Sequence, residues 1–219
     1  MHLSDFKLLA MDMDSTLITI ECIDEIADYA GIKPQVAAIT ERAMQGEIPW
    51  LESFKQRVAL LQGLPVSVLD RVYDERLRLQ PGAEVMLATV HAHGLKTLLV
   101  SGGFTFFTDR IKARLGLDYA YSNTLDVQDG KFTGTVSGDI IDAEGKARKV
   151  REICAALGVP TSAAIAVGDG ANDIPMMQVS GASVAYHAKP VVRAQATFAI
   201  NEGGLERLPG LFGATLWPN

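Results

Sequence analysis

Two aspartates one residue apart, Asp12 and Asp14, close the apolar run Leu8-Leu9-Ala10-Met11. Phe6 to Met11 carries a single charge, Lys7, and reads as a strand buried on both faces. Carboxylates at the exit of such a strand are costly. Two unit charges about 4 Å apart at an effective dielectric of about 20 repel by roughly 4 kcal/mol, and each also loses hydration. A cation must offset them, unless one of the pair simply caps a helix beginning at Ser15. In an open α/β sheet the carboxyl ends of the strands are where ligands bind.

A second apolar run, Ala163 to Val167, breaks into Gly168-Asp169-Gly170-Ala171-Asn172-Asp173, again with acids just past a strand and glycines that allow a tight turn. If both strands share one parallel sheet, Asp12, Asp14, Asp169 and Asp173 converge. Only oxygen ligands are on offer, with no His or Cys beside either cluster, which favours Mg²⁺ over Zn²⁺. A third strand, Leu95 to Val100, ends in Ser101-Gly102-Gly103 before a helix from Thr105 to Leu115. A hydroxyl and bare N–H groups at a helix start form an anion cradle. Lys146 opens a helix that runs to about Leu157 with Val150, Ile153 and Leu157 as its apolar stripe; taken alone it reads as a surface lysine, as do Arg148 and Lys149.

The elements that must position these groups follow from the periodicity. After Thr16 the buried-strand texture gives way to amphipathic helices over about Glu21–Tyr29, Pro34–Gln45, Trp50–Gln62 and Val66–Leu79, punctuated by Gly31, Gly46 and Gly63 with Pro34, Pro49 and Pro65 close by. Pro81-Gly82 ends this small bundle, and a helix over Ala83–His93 leads back to the strand at Leu95. Leu51, Phe54, Val58 and Leu61 recur at helical spacing, so Arg57 sits at the edge of an apolar stripe, free to turn its planar fork inward or to snorkel to water. Tyr119–Val127 and Lys131–Val136, joined through Gln128-Asp129-Gly130, read as a hairpin. His91 and His93 read as solvated helix-terminal residues rather than a metal pair. The apolar tail Leu211–Asn219, with Trp217, either packs on the core or makes an oligomer contact.

In chain order, Asp12-Met13-Asp14-Ser15-Thr16, Ser101-Gly102-Gly103-Phe104, Lys146 and Gly168-Asp169-Gly170-Ala171-Asn172-Asp173 resemble the motifs of the haloacid dehalogenase superfamily of phosphatases, over nearly the whole chain. Within it the chain is most similar to the phosphoserine phosphatase family, because Glu21, Ile23-Asp24-Glu25, Met44, Arg57-Val58 and Leu60-Leu61 also agree. The resemblance implies an α/β fold: a Rossmann-type parallel sheet core of residues 1–16 and 78–219, with a helical-bundle cap inserted at 17–77. It implies Mg²⁺ held by the Asp12 carboxylate, the Asp14 backbone carbonyl and the Asp169 carboxylate. Asp12 would attack phosphorus to give an aspartyl-phosphate, and Asp14, its carboxylate away from the metal, would serve as general acid and then general base. Ser101, the Gly102 N–H and Lys146 would surround the phosphoryl oxygens, Asn172 would help hold substrate or phosphate, and Asp173 would fix Lys146 or a metal-bound water. Glu21 would hold the substrate ammonium and Arg57 its carboxylate, with Met44 and Trp50 as pocket walls; the family usually has a smaller aromatic at the position of Trp50.

The expected reaction is hydrolysis of O-phosphoserine to serine, the last step of serine biosynthesis. A phosphotransferase, or a phosphatase for phosphohomoserine, phosphothreonine or phosphoethanolamine, would share these residues. A receiver-type signalling domain also pairs a phosphorylated Asp with Mg²⁺ and Lys, but Asp14 and the helical insert argue against it. Composition agrees. A chain of 219 residues with 48% hydrophobic content supports a substantial core. The net charge of −6 and the lack of a basic stripe argue against nucleic acid as a partner. Cys22 and Cys154 read as reduced core residues, and no apolar run approaches a membrane span. Asp5 and Lys7 interrupt any signal-peptide pattern. The expectation is therefore a cytoplasmic enzyme, monomeric or homodimeric, with a small-molecule substrate.

Overall fold

A computed structural model describes residues 1–216, so Trp217 in the apolar tail lies outside the described residues. The order of elements begins with β1 (Leu8–Met11), then four helices, α1 (Cys22–Tyr29), α2 (Lys33–Met44), α3 (Trp50–Ala59) and α4 (Ser67–Arg71). After α5 (Ala83–Ala92) come β2 (Lys96–Phe104), α6 (Thr105–Leu115), β3 (Tyr119–Gln128), β4 (Lys131–Ser137) and α7 (Ala143–Ala156). The chain then runs through β5 (Ala164–Gly168), α8 (Ile174–Val179), β6 (Ala182–Tyr186), α9 (Pro190–Arg193), β7 (Phe198–Ile200) and α10 (Leu208–Leu211).

The strands form one sheet in the order β4-β3-β2-β1-β5-β6-β7, parallel except for the antiparallel β3–β4 pair. β1 is central and buried on both faces. Leu9 and Met11 join one apolar layer with Leu99, Ile165 and Val167, while Leu8 and Ala10 join the other with Leu98, Val100, Ala164 and Ala166. Each large side chain so buried contributes about 1.5–3 kcal/mol, which is what holds a short four-residue strand in place. Met11 aligns with Leu99 on one side and Val167 on the other, and the Asp12 N–H donates to the Val167 carbonyl at 3.0 Å. Successive strands run outward in both directions from β1, so the topological switch point lies at its carboxyl end, where Asp12 emerges.

Three sequence expectations change. β2 does not stop at Val100 but continues through Ser101-Gly102-Gly103 to Phe104, with an irregular register between Val100 and Phe104. The Asn123 side chain on β3 explains this: its Nδ2 donates to the Gly102 carbonyl at 2.9 Å and its Oδ1 accepts from the Ile141 N–H at 2.8 Å. The anion cradle is therefore a bulged strand end, with α6 starting only at Thr105. The helix expected over Trp50–Gln62 ends at Ala59, because the backbone beyond it is captured by the β4 edge: the Gly63 N–H donates to the Phe132 carbonyl at 2.8 Å, and the Phe132 N–H to the Leu64 carbonyl at 3.0 Å. The helix expected over Val66–Leu79 is shorter, passing from α4 into a widened π turn at Val72–Arg76. There Arg76 pairs with Glu25 and Asp28 of α1 and lies over the Tyr29 ring at 4.0 Å.

Other expectations stand. The hairpin turn carries positive φ at both Asp129 (51°) and Gly130 (72°), as a tight two-residue connection of right-twisted strands requires. No helix begins at Ser15. His91 and His93 lie at the end of α5 and bond to Thr97 and the Thr89 carbonyl. Cys22 and Cys154 are buried and unpaired by disulfide. Among the described residues no helix is long and apolar enough to cross a membrane.

Gly168, the last residue of β5, has no room for a side chain: a Cβ there would collide with the Asp173 carboxyl group. Gly168→Ala should therefore cost about 1–3 kcal/mol, as overpacking of a tight site does, seen as a lower unfolding midpoint than for a Gly210→Ala control in α10, where the space is open.

Candidate active site

The turn after β1 is built on the Met13 carbonyl, which accepts from the N–H groups of Thr16, Leu17 and Ile18. Ser15 takes a left-handed conformation, φ 57°, unusual for a residue with a side chain. It is held there by its hydroxyl donating to Glu21 Oε1 at 2.6 Å and by Gln80 Nε2 donating to its carbonyl at 3.2 Å. Thr16 Oγ1 donates to Asp169 Oδ1 at 2.7 Å, tying the β1 loop to the β5 loop.

Lys146, in the first turns of α7, is 1% exposed and sits between Asp12 Oδ1 at 2.6 Å and Asp173 Oδ1 at 2.7 Å. It is no surface lysine. Its helix is fixed at the start by Asp142, whose Oδ1 accepts from the Gly145 N–H at 2.7 Å. The other Asp173 oxygen accepts from the N–H groups of Asp169 at 3.1 Å and Gly170 at 3.0 Å, so this carboxylate is fully engaged in positioning. Carboxylate oxygens of Asp12, Asp169 and Asp173 lie within 4.8 Å of one another. Burial, and then the Asp173 charge, push Asp12 upward against the pull of Lys146, and burial raises Asp169 as well. Burial also opposes the Lys146 charge, but its two carboxylate partners outweigh that and hold the ammonium above its usual value. Three clustered carboxylates, two of them sharing one ammonium, with oxygen as the only donor type, fit a hard divalent cation.

Asp14 stands apart from this cluster. Its Oδ2 accepts from the Cys22 N–H at 3.2 Å, and its Oδ1 is buried with no hydrogen-bond partner among the described residues. Burial, and then the Glu21 charge, lift its carboxyl to about 7, so it carries a proton through the range where an ordinary aspartate has lost it. The pair thus differs in its partners: the Lys146 ammonium draws Asp12 toward the ionised form against its burial, while Asp14, with its carboxyl raised to about 7, can give and take a proton.

Asp12 and Asp14 open into a cavity of about 540 Å³. Its floor carries Ser101, Gly102, Asp169 and Asn172 from the sheet side. Its roof carries Glu21, Met44, Trp50 and Arg57 from the helical insert, so the sequence-predicted substrate residues meet in one space. Met44 is largely exposed at the rim, and Trp50 stacks on Phe54 with ring centroids 5.2 Å apart. The Gly103 N–H donates to Ser101 Oγ at 2.9 Å, which fixes that hydroxyl beside the bulge. Burial weakens the Arg57 charge, and Asp24 and Glu21 sustain it. Burial likewise raises Glu21, against its bond from Ser15.

Some functional neighbours escape sequence reading. Thr16 and Ser15 stood inside the first motif without a role. Asn123 gave no signal within an alternating strand, Ser53 lines the cavity unremarked, and Asp24, noted only as part of a matching run, lines it as well. Lys189 lines it too, its N–H 3.4 Å from the Asp169 carbonyl.

Known proteins agree with this geometry. A family profile described as haloacid dehalogenase-like hydrolase matches residues 9–178. A phosphoserine phosphatase of Polaromonas sp. is 60% identical over 95% of this chain and 90% of its own length. One from Albidiferax ferrireducens is 55% identical over 97% of this chain and 92% of its own. A solved structure, a phospho-aspartyl intermediate analogue of phosphoserine phosphatase, superposes with a TM-score of 0.87 at 37% identity, covering 94% of this chain and 98% of that one. The chain belongs to the haloacid dehalogenase-like hydrolases and, within them, to the phosphoserine phosphatase family.

Proposed function

We propose that this chain is a Mg²⁺-dependent phosphoserine phosphatase, hydrolysing O-phosphoserine to serine and phosphate. The observation that carries the reading is that one cavity holds the Asp12–Asp14 pair on its sheet side and the oppositely charged Glu21 and Arg57 on its helical side. A small zwitterion with a phosphate at one end matches that division of charge. The relatives at 55–60% identity carry the same activity in their names.

In the first step the Asp12 carboxylate forms a bond to phosphorus as the bond from phosphorus to the serine oxygen breaks; Asp14 gives its proton to that oxygen, and serine leaves. In the second, Asp14 takes a proton from water, whose oxygen attacks the aspartyl-phosphate, freeing Asp12 and phosphate. One carboxyl serves both steps because they are near mirror images. The Ser101 hydroxyl, the Gly102 N–H and Lys146 stabilise charge on the phosphoryl oxygens, and Asn172 helps hold the substrate or phosphate. Asp173 holds Lys146 in place. Asp12, Asp169 and the Asp14 carbonyl would hold the Mg²⁺, which when bound supplies neutralisation of phosphoryl charge.

At the other end Glu21 accepts from the substrate ammonium, and Arg57 donates its fork to the carboxylate. Met44 and Trp50 wall the space between. The helical insert, residues 17–77, acts as a cap over the core of residues 1–16 and 78–219, excluding water from the first step. The two buried, reduced cysteines suit a cytoplasmic setting, and the reading holds for a monomer or a homodimer.

Asp14→Asn should lower kcat by about 10²–10⁴-fold, the usual worth of a positioned proton donor; full turnover would remove Asp14 from that role. Arg57→Ala should raise KM for phosphoserine by about 10–100-fold and leave phosphoethanolamine, which lacks the carboxylate, much less affected. Phosphate release should cease in excess EDTA and return when Mg²⁺ is restored. Persistence in chelator would contradict the oxygen-only cluster as a metal site.

A further inference from the structure

Among the described residues two buried side-chain atoms lack a hydrogen-bond partner, Asp14 Oδ1 and Ser53 Oγ. Proton transfer accounts for the first. The second has no role in the scheme above, although Ser53 is 1% exposed and lines the same cavity.

A serine inside a helix has an easy way to satisfy its hydroxyl, by donating to the carbonyl four residues back. Thr40 on α2, which lines the same cavity, does this, donating to the Val36 carbonyl at 3.1 Å. Ser53 forgoes it. Its position explains what the hydroxyl faces instead. Trp50, Ser53, Phe54 and Arg57 are the α3 residues that line the cavity, spaced as one helical face. Phe54 is taken up by Trp50, on which it stacks, and by Phe104, with centroids 6.4 Å apart. Ser53 is one turn before Arg57, and Arg57 Nε donates to the Ser53 carbonyl at 3.4 Å, so the guanidinium folds back toward this residue. Hydroxyl and guanidinium thus belong to neighbouring residues of one cavity-lining helical face.

We propose that the Ser53 hydroxyl is a specificity-determining group, donating a hydrogen bond to the substrate carboxylate that Arg57 grips. The inference rests on the phosphoserine reading and deepens it: the amino-acid end is read by an ammonium acceptor, a guanidinium and a neutral hydroxyl donor. A neutral donor adds recognition of carboxylate without adding charge to a cavity already lined by Asp12, Asp14, Glu21, Asp24 and Asp169.

The test is steady-state kinetics of wild type, Ser53→Ala and the nearly isosteric Ser53→Cys on phosphoserine and phosphoethanolamine, with thermal melts of the ligand-free proteins. Both variants should raise KM for phosphoserine about tenfold, with kcat within about twofold and kcat/KM for phosphoethanolamine within about twofold. Deleting an unsatisfied buried hydroxyl should leave the ligand-free melting temperature unchanged or higher, which a hydroxyl serving only the fold would not do. An unchanged KM for phosphoserine, an equal loss on both substrates, or a lower melting temperature would overturn the assignment. A wild-type enzyme that does not prefer phosphoserine to phosphoethanolamine would overturn the amino-acid reading itself, whereas a wild-type preference retained in full by Ser53→Ala overturns only the role of Ser53.

Discussion

The Lys146 ammonium buried between Asp12 and Asp173 is the contact on which the rest of the site depends. Burying ions costs several kcal/mol each, and such a group persists only where geometry and further hydrogen bonds compensate. Here compensation draws on three separate segments. Asp12 comes from the end of β1, Lys146 from α7, Asp173 from the loop after β5, and the N–H groups of Asp169 and Gly170 complete the Asp173 shell. Gly168 makes the arrangement possible by leaving the space that the Asp173 carboxyl fills. Removing one partner of such a group typically costs about 3–5 kcal/mol, because the remaining charge stays buried and unpaired. The geometry of the site and the stability of the fold are thus coupled in the same three side chains.

That contact also sets the two neighbouring aspartates apart. Burial raises both carboxyls; the Lys146 ammonium opposes this at Asp12, whereas at Asp14 the Glu21 charge adds to it and the carboxyl is raised to about 7. The turn that follows them depends on Ser15 in its left-handed conformation, held by Glu21, which lines the helical side of the cavity. The loop after β1 and the helical side of the cavity are therefore mechanically joined. The helical insert is tied to the sheet as well, through the backbone pairing of Gly63 and Leu64 with Phe132 on the hairpin.

Much of this was legible in the sequence because the reacting groups interrupt apolar runs. Asp12 and Asp169 stand immediately beyond buried strands, a place where carboxylates are costly and call for a cation. What could not be read depends on contacts distant along the chain. Gly102 and Gly103 look like a turn, yet the Asn123 amide holds them extended as part of β2. The last turn expected of α3 is lost to the edge of β4, whose pairing no local periodicity encodes. Lys146 taken alone reads as surface, since lysine is almost never fully buried unless paired, and its partners lie 134 and 27 residues away. Ser53 was invisible for the opposite reason: an orphaned hydroxyl is defined only once every neighbour is placed.

The central claim is that Asp12 carries the phosphoryl group between the two half-reactions. The most direct measurement is to quench phosphoserine turnover in acid within the first turnovers and map the phosphoryl label by peptide mass. The account predicts label on the peptide containing Asp12, appearing with serine release and absent from Asp12→Asn. Label on another residue, or serine release with no labelled peptide at any time, would contradict it.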